Sequence, residues 1–183
     1  RMPLLRPPVR ETPGGTMAIV ASSWHDTVMD GLIAGAQKAD LLADLAAGAF
    51  DWLTVTSATT VDVLYAYRAV IPASTQIAAV GETTAAALTA VGYRVDLVPE
   101  DDNSAAGMAA QLIALESEPR RILTLRSEIA KPVLTRKLSE AGHDVRSVVA
   151  YRTVGVPATE RIAEDVRSGR INAILVTSGS VAE

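Results

Sequence analysis

From Phe50 onward, apolar runs of four or five residues alternate with longer stretches in which apolar positions recur at three and four. These are the periods of a buried strand and of an amphipathic helix. The spacing predicts strands over Trp52–Thr56, Gln76–Val80, Val95–Val98, Arg121–Leu125, Asp144–Tyr151 and Ala173–Thr177. Helices are predicted between them over Thr60–Val70, Thr83–Val91, Ser104–Leu115, Pro132–Ala141 and Glu160–Ser168, with Gly92 and Gly142 as stops. Upstream, Met17–Ser22 has strand character, and Thr27–Asp44 carries Val28, Leu32, Ile33 and Ala36 at helical spacing, with Asp26 placed to cap it. The opening stretch, Arg1–Gly15, is rich in proline and glycine and reads as a strand-like start followed by a loop. Strict alternation of strand and helix with short connections indicates an α/β fold built on a doubly wound parallel sheet.

One internal repeat bears on the architecture. Gly48, Phe50, Asp51, Leu53, Val55, Thr56 and Ser57 match Gly169, Ile171, Asn172, Ile174, Val176, Thr177 and Ser178 at a constant offset. Each copy reads as a helix stop, an apolar strand, and Thr-Ser where a new helix begins. So long a period suggests two similar lobes, since solenoid repeats are much shorter. The second copy ends at Glu183 where its helix is due. The expected organisation is therefore a lobe over residues 1–152 and an incomplete portion of a second lobe over 153–183.

Composition removes whole classes of chemistry. There is no cysteine, which excludes disulfide scaffolds, thiolate metal sites and cysteine nucleophiles. The two histidines, His25 and His143, are far apart and read as surface residues, so no metal site is expected. Net charge is −4 and aromatics make up 4%, which argues against nucleic acid as a partner. No apolar run approaches the roughly 20 residues of a membrane span. A cytoplasmic protein is expected. A polyanionic small ligand stays open, because local backbone N–H groups bind anions whatever the overall charge.

In open α/β sheets ligands bind beyond the carboxyl ends of the strands. The residues there are Thr56–Thr60, Gly81–Thr84, Asn103-Ser104, Arg126-Ser127, Tyr151 and Thr177–Ser180. Most are hydroxyl or glycine positions at helix starts, where unpaired N–H groups and the helix dipole favour anions. The plainer alternative is that each Ser or Thr is an ordinary N-cap. Arg126 reads equally as a ligand contact or a solvated charge, and Tyr151 as a catalytic group or a packed hinge residue. Glu100, Asp101 and Asp102 read as a solvated loop. Gly81-Glu82-Thr83 lacks the spacing of a nucleotide-binding loop, and Ser57 has no triad partners.

The ordered set DWLTVTSATTV (Asp51–Val61), AVGETTAAAL (Ala79–Leu88), YRVDLVPE (Tyr93–Glu100), RILTLRSEIA (Arg121–Ala130), LSEAGHDVRSVVAYRTV (Leu138–Val154) and ILVTSGSV (Ile174–Val181) resembles the uroporphyrinogen-III synthase family. That resemblance implies two flavodoxin-like lobes joined by connecting strands, with the active site in the cleft between them. On this template Pro3–Val9 matches the outward crossover and Val149–Thr153 the return. It implies a cofactor-free lyase of tetrapyrrole synthesis that closes hydroxymethylbilane into uroporphyrinogen III with inversion of the last pyrrole ring. Tyr151 matches the tyrosine expected to assist departure of the substrate hydroxyl. Ser57, Thr84, Arg126 and Ser178 are the corresponding candidates for substrate binding. A monomer is expected. The alternative from another class is a non-catalytic flavodoxin-like module that binds an anionic ligand or a partner domain.

The front of the chain differs. Ala18–Ala39 resembles the first strand and helix of lumazine synthase, with Trp24 matching the aromatic that stacks on the substrate ring. The later glycine-rich and histidine motifs of that enzyme are missing, so its activity is not expected here.

Overall fold

The computed structural model describes residues 16–19, 25–28, 35–155 and 159–175, with side chains over 39–152 and 159–171. In order, the elements are β1 (Thr16–Ile19), β2 (His25–Val28), α1 (Gly35–Ala46), β3 (Trp52–Val55), α2 (Ala58–Ala66), β4 (Gln76–Ala79), α3 (Glu82–Ala90), α4 (Ala105–Leu115), β5 (Arg121–Ser127), α5 (Val133–Glu140), β6 (Asp144–Gly155), α6 (Glu160–Arg167) and β7 (Ile171–Leu175). They fall into two compact units. One is Thr27–Thr153; the other combines Arg1–Asp26 with Val154–Glu183.

The five-stranded sheet has the order β2-β6-β5-β3-β4. β3 runs parallel to both β4 and β5, and β5 parallel to β6. Leu97 adds a single parallel bridge to Ala78 on the far edge of β4. The chain thus starts at β3, works outward through β4 to Leu97, then returns to β5 on the other side of β3. A reversal of this kind parts the loops above β3 and β5 and leaves a crevice at their carboxyl ends.

Period-two alternation sends the strand side chains to two separate cores. Leu53, Val55, Ile77, Ala79, Leu123 and Leu125 face one core, where they meet Leu41 and Leu45 of α1, Val61 and Leu64 of α2, and Ala85 and Leu88 of α3. Trp52, Ala78 and Ile122 face the other, against Met108 and Leu112 of α4 and Leu134 and Leu138 of α5. Both faces of the sheet are covered, which is why its strands read as continuous apolar runs. Two threonines interrupt the second face. Thr54 and Thr124 are opposite each other in the register, buried, and joined through their hydroxyls at 3.0 Å, so neither is left unpaired.

The other unit pairs β1 with β7 in parallel. Its α6–β7 corner repeats the α1–β3 corner seen in the sequence. Gly48 and Gly169 both take a left-handed conformation, φ +73° and +71°, and each ends its helix before a strand starts. Glycine reaches that conformation without a side-chain clash.

Three sequence expectations need correction. Thr27–Asp44 is not one helix: Asp26, Thr27 and Val28 lie in β2 and α1 starts only at Gly35. β-Branched Thr27 and Val28 suit a strand, a preference that the apolar spacing does not register. Val95–Val98 forms only one bridge. The Asp96 carboxylate accepts the Ile77 N–H at 2.9 Å, taking a donor that a neighbouring strand's carbonyl would otherwise use. His143 is buried, not exposed, and its Nδ1 accepts the Arg120 N–H at 3.1 Å. The expectations for Pro3–Val9 and Trp24 lie outside the described residues, as do those for Val176–Ser180.

Candidate active site

Ser57 sits where β3 turns into α2. Its φ and ψ are extended, and its Oγ accepts the Thr60 N–H at 3.2 Å, as an N-cap should. The same oxygen is 3.0 Å from the Thr60 hydroxyl and 2.9 Å from the Tyr151 phenol. Thr60 is fully buried and Tyr151 is 9% exposed. Capping and site formation are therefore one arrangement: the serine that starts α2 also tethers the tyrosine at the end of the sheet.

A register shift in β6 brings Tyr151 to that serine. Arg126 pairs with Val149, but Ser127 pairs with Tyr151, so Ala150 is passed over. Extra residues of this kind reset the alternation of side chains. Ala150 and Tyr151 consequently both belong to the core beneath α1, α2 and α3. Without the shift, consecutive residues would point to opposite faces, and Tyr151 would leave Ser57.

Arg126, one residue before the end of β5, has a different setting. Its Nη1 donates to the carbonyls of Ser127 and Glu128 at 3.1 and 3.2 Å, with a longer contact to that of Ala130 at 3.5 Å. Its Nε donates to Ser147 Oγ at 3.2 Å. The guanidinium thus clamps the turn that leads into α5, and no carboxylate pairs with it among the described residues. Beside it an open recess of about 200 Å³ lies between the ends of β3 and β5, lined in part by Thr56, Thr124, Arg126, Lys131 and Thr135. Ala105 and Leu134 also line it, which puts it on the α4 and α5 side of the sheet.

The sequence-predicted residues therefore separate into two groups. Ser57 and Tyr151 are joined. Thr84, buried in the first turn of α3, lies on the same face of the sheet. Arg126 belongs to the recess on the opposite face, and Ser178 is outside the described residues. Gly81 at the start of α3 lies against Asn103, since a Cβ placed on it would be 3.4 Å from the Asn103 Cβ. Ser104 behaves as a cap, accepting from the N–H groups of Ala106 and Gly107. Thr60 was named from the sequence only within the segment Thr56–Thr60, and Lys131 and Thr135 were not singled out. The available signal for the latter two was a Lys-Pro pair opening a helix after the Arg126 strand.

A polar cluster at the amino end of the sheet is remote from these groups. The Trp52 indole donates to Glu116 Oε1 at 2.7 Å, and Arg120 Nε donates to Oε2 at 2.6 Å. Burial pushes the Glu116 carboxyl up, but these hydrogen bonds and the Arg120 charge outweigh it and hold the group below its ordinary value. Among the described residues no His, Asp or Glu cluster could hold a metal, and no helix is long and apolar enough to cross a membrane.

The uroporphyrinogen-III synthase (HemD) family model matches residues 32–183. A protein of Methanothermobacter thermautotrophicus, provisionally designated uroporphyrinogen-III synthase, is 32% identical over 111 residues, which cover 58% of this chain and 43% of that relative. In fold, the chain is similar to a mutant uroporphyrinogen III synthase of the extremely thermophilic bacterium Thermus thermophilus, with a TM-score of 0.53 and 22% identity over 82% of this chain and 59% of the other. The wild-type enzyme of the same organism gives 0.50 and 23% over 81% and 57%. The chain thus spans 43% to 59% of the length of these relatives. With the family model covering most of its length, the chain belongs to the uroporphyrinogen-III synthase family.

Proposed function

We propose that this chain supplies the Tyr151 side of the active site of a uroporphyrinogen-III synthase, acting on hydroxymethylbilane in the cytoplasm. The observation that carries the reading is the Ser57–Tyr151 hydroxyl pair at the carboxyl end of the sheet. The reaction begins when the substrate's terminal hydroxyl leaves as water, which leaves a delocalised cation. Attack by a substituted pyrrole carbon gives a spiro intermediate. Fragmentation and reclosure invert the last ring, and loss of a proton restores its aromaticity. The substrate is intrinsically reactive, so the protein's share is to hold one folded geometry and to assist departure of the hydroxyl. A phenol held by a serine fits that task, and so does a site poor in histidine and paired carboxylates. Thr84 would meet a substrate carboxylate on the Tyr151 face, Ser57 would act there through the phenol it holds, and Ser178 is a further candidate for substrate binding. Arg126 and Lys131 offer positive charge at the recess.

The test is incubation with hydroxymethylbilane, oxidation of the product, and separation of the type III from the type I isomer. Type III product above the spontaneous background is expected. Tyr151→Phe should lower its rate while the protein stays folded. One hydrogen bond to a group developing charge is worth about 1.5–3 kcal/mol, or roughly ten- to hundred-fold in rate. Full activity in Tyr151→Phe would remove the tyrosine from the mechanism. Only type I product from the unaltered chain would leave a ligand-binding module.

A further inference from the structure

The hydroxyls of Thr60, Ser57 and Tyr151 form a chain, and its direction follows from counting hydrogens. Ser57 Oγ has one hydrogen to give and two lone pairs to receive. One lone pair takes the Thr60 N–H, which that group shares with the Ser57 carbonyl. The remaining hydrogen and lone pair serve the Thr60 and Tyr151 hydroxyls, one each. Two arrangements are possible. In one, Thr60 donates to Ser57 and Ser57 to Tyr151. In the other, Tyr151 donates to Ser57 and Ser57 to Thr60.

Burial separates them. Thr60 is fully buried, and Ser57 Oγ is the one hydrogen-bond partner of its hydroxyl among the described residues. Were Thr60 to accept, its own hydrogen would be sealed in the core with no acceptor. An orphaned buried donor costs more than an unused lone pair. Thr60 therefore donates, Ser57 must pass its hydrogen to the phenol oxygen, and the Tyr151 hydrogen is released to point away from Ser57.

We propose that Thr60 is a positioning residue: from the core it orients the hydroxyl chain so that Tyr151 offers a hydrogen, and not a lone pair, to its ligand. This deepens the proposed function and rests on it for the consequence in turnover: a departing hydroxyl needs a donor beside it. The reverse direction would present lone pairs to that oxygen and repel it. The nearest alternative role, a cap for α2, is already filled by Ser57 and does not require a hydroxyl at residue 60.

The direction is read by ultraviolet resonance Raman spectroscopy, because the tyrosine Fermi doublet has different intensity ratios for accepting and donating phenols. The difference spectrum between the unaltered protein and Tyr151→Phe isolates Tyr151 from the other three of the four tyrosines. With no ligand added, an accepting signature is expected. Thr60→Val should shift it toward the donating type, because Ser57 is then free to receive from the phenol, while Thr60→Ser should keep it. In the isomer assay Thr60→Val should lower kcat about three- to ten-fold with KM unchanged, the size of one reoriented hydrogen bond, and Thr60→Ser should restore it.

A donating signature in the unaltered protein overturns the proposal, even if Thr60→Val fails to fold. So does a signature that Thr60→Val leaves unmoved. A shifted signature with kcat unchanged overturns the catalytic half. Absence of type III product from the unaltered protein would instead strike the proposed function, and the Raman ratio would still decide the direction.

Discussion

The Ser57–Tyr151 contact can be measured without any turnover, by a double-mutant cycle on stability. Tyr151→Phe keeps the buried ring and removes one neutral hydrogen bond, with a cost of about 0.5–1.5 kcal/mol. Ser57→Ala does more. It removes the cap of α2, at about 1 kcal/mol, and strips the buried Thr60 hydroxyl of its partner, at about 1–3 kcal/mol. It also leaves the phenol unpaired. The double variant cannot lose the Ser57–Tyr151 bond twice, so its cost should fall short of the sum of the singles by about 1 kcal/mol. Urea unfolding followed by Trp52 fluorescence reports the unit that holds both residues. Trp24, the second of the two tryptophans, is replaced by Phe in all four proteins so that the signal belongs to Trp52. Additivity within about 0.3 kcal/mol, the behaviour of independent sites, would refute the contact and with it the hydroxyl chain.

Three further predictions concern the same unit. Glu116→Leu leaves the Trp52 indole N–H, on a side chain 1% exposed, without its acceptor, and should destabilise by about 1–3 kcal/mol in urea titration; Glu116→Gln, which keeps an acceptor, should cost less. Because the folded Glu116 carboxyl is held below its ordinary value of 4.5, its stabilising contribution is present above that value and is lost as pH falls through the lower folded value. The gap in urea midpoint between the unaltered protein and Glu116→Gln should therefore narrow on acidification, and a gap that stays constant down to the acid transition would contradict the assignment. Gly107→Ala adds a Cβ that overlaps the Asp102 carbonyl and comes 2.6 Å from the Asp102 Cβ. Overpacking of this kind costs about 1–3 kcal/mol, against which the helix preference of alanine recovers at most about 1 kcal/mol, so a lowered urea midpoint is expected despite the better helix former.

Much of the fold was legible because a parallel sheet covered on both faces writes itself as short apolar runs between helical periods. β3, β4, β5 and the helices α2 to α5 fall within a few residues of the expected spans. Local chemistry decided these cases: Ser57 and Ser104 cap helices, and Gly142 takes φ +93° just after α5. Periodicity failed where two patterns overlapped. Val28, Leu32, Ile33 and Ala36 fit a helix by spacing, yet the chain there divides between a strand and a later helix start. It also overstated Val95–Val98, because nothing in the pattern tells that the Asp96 side chain will occupy the neighbouring strand's N–H.

The site divides along the same line. Sequence alone placed Ser57, Gly81 and Ser104 at helix starts, since that follows from the order of strands and helices, whereas Arg126 and Tyr151, expected beyond their strands, lie within β5 and β6. Which of these groups meet was decided only in three dimensions. The strand order that opens a crevice between β3 and β5 is a long-range choice, and so is the face of the sheet on which each side chain emerges. One residue passed over at Ala150 turns Tyr151 toward Ser57, while Arg126, one strand away, opens to the opposite face. A shift of a single residue inverts every side chain after it, and local spacing holds no record of it. The burial of Thr60, on which the direction of the hydroxyl chain rests, is likewise a property of the packed core and not of the segment Thr56–Thr60 by itself.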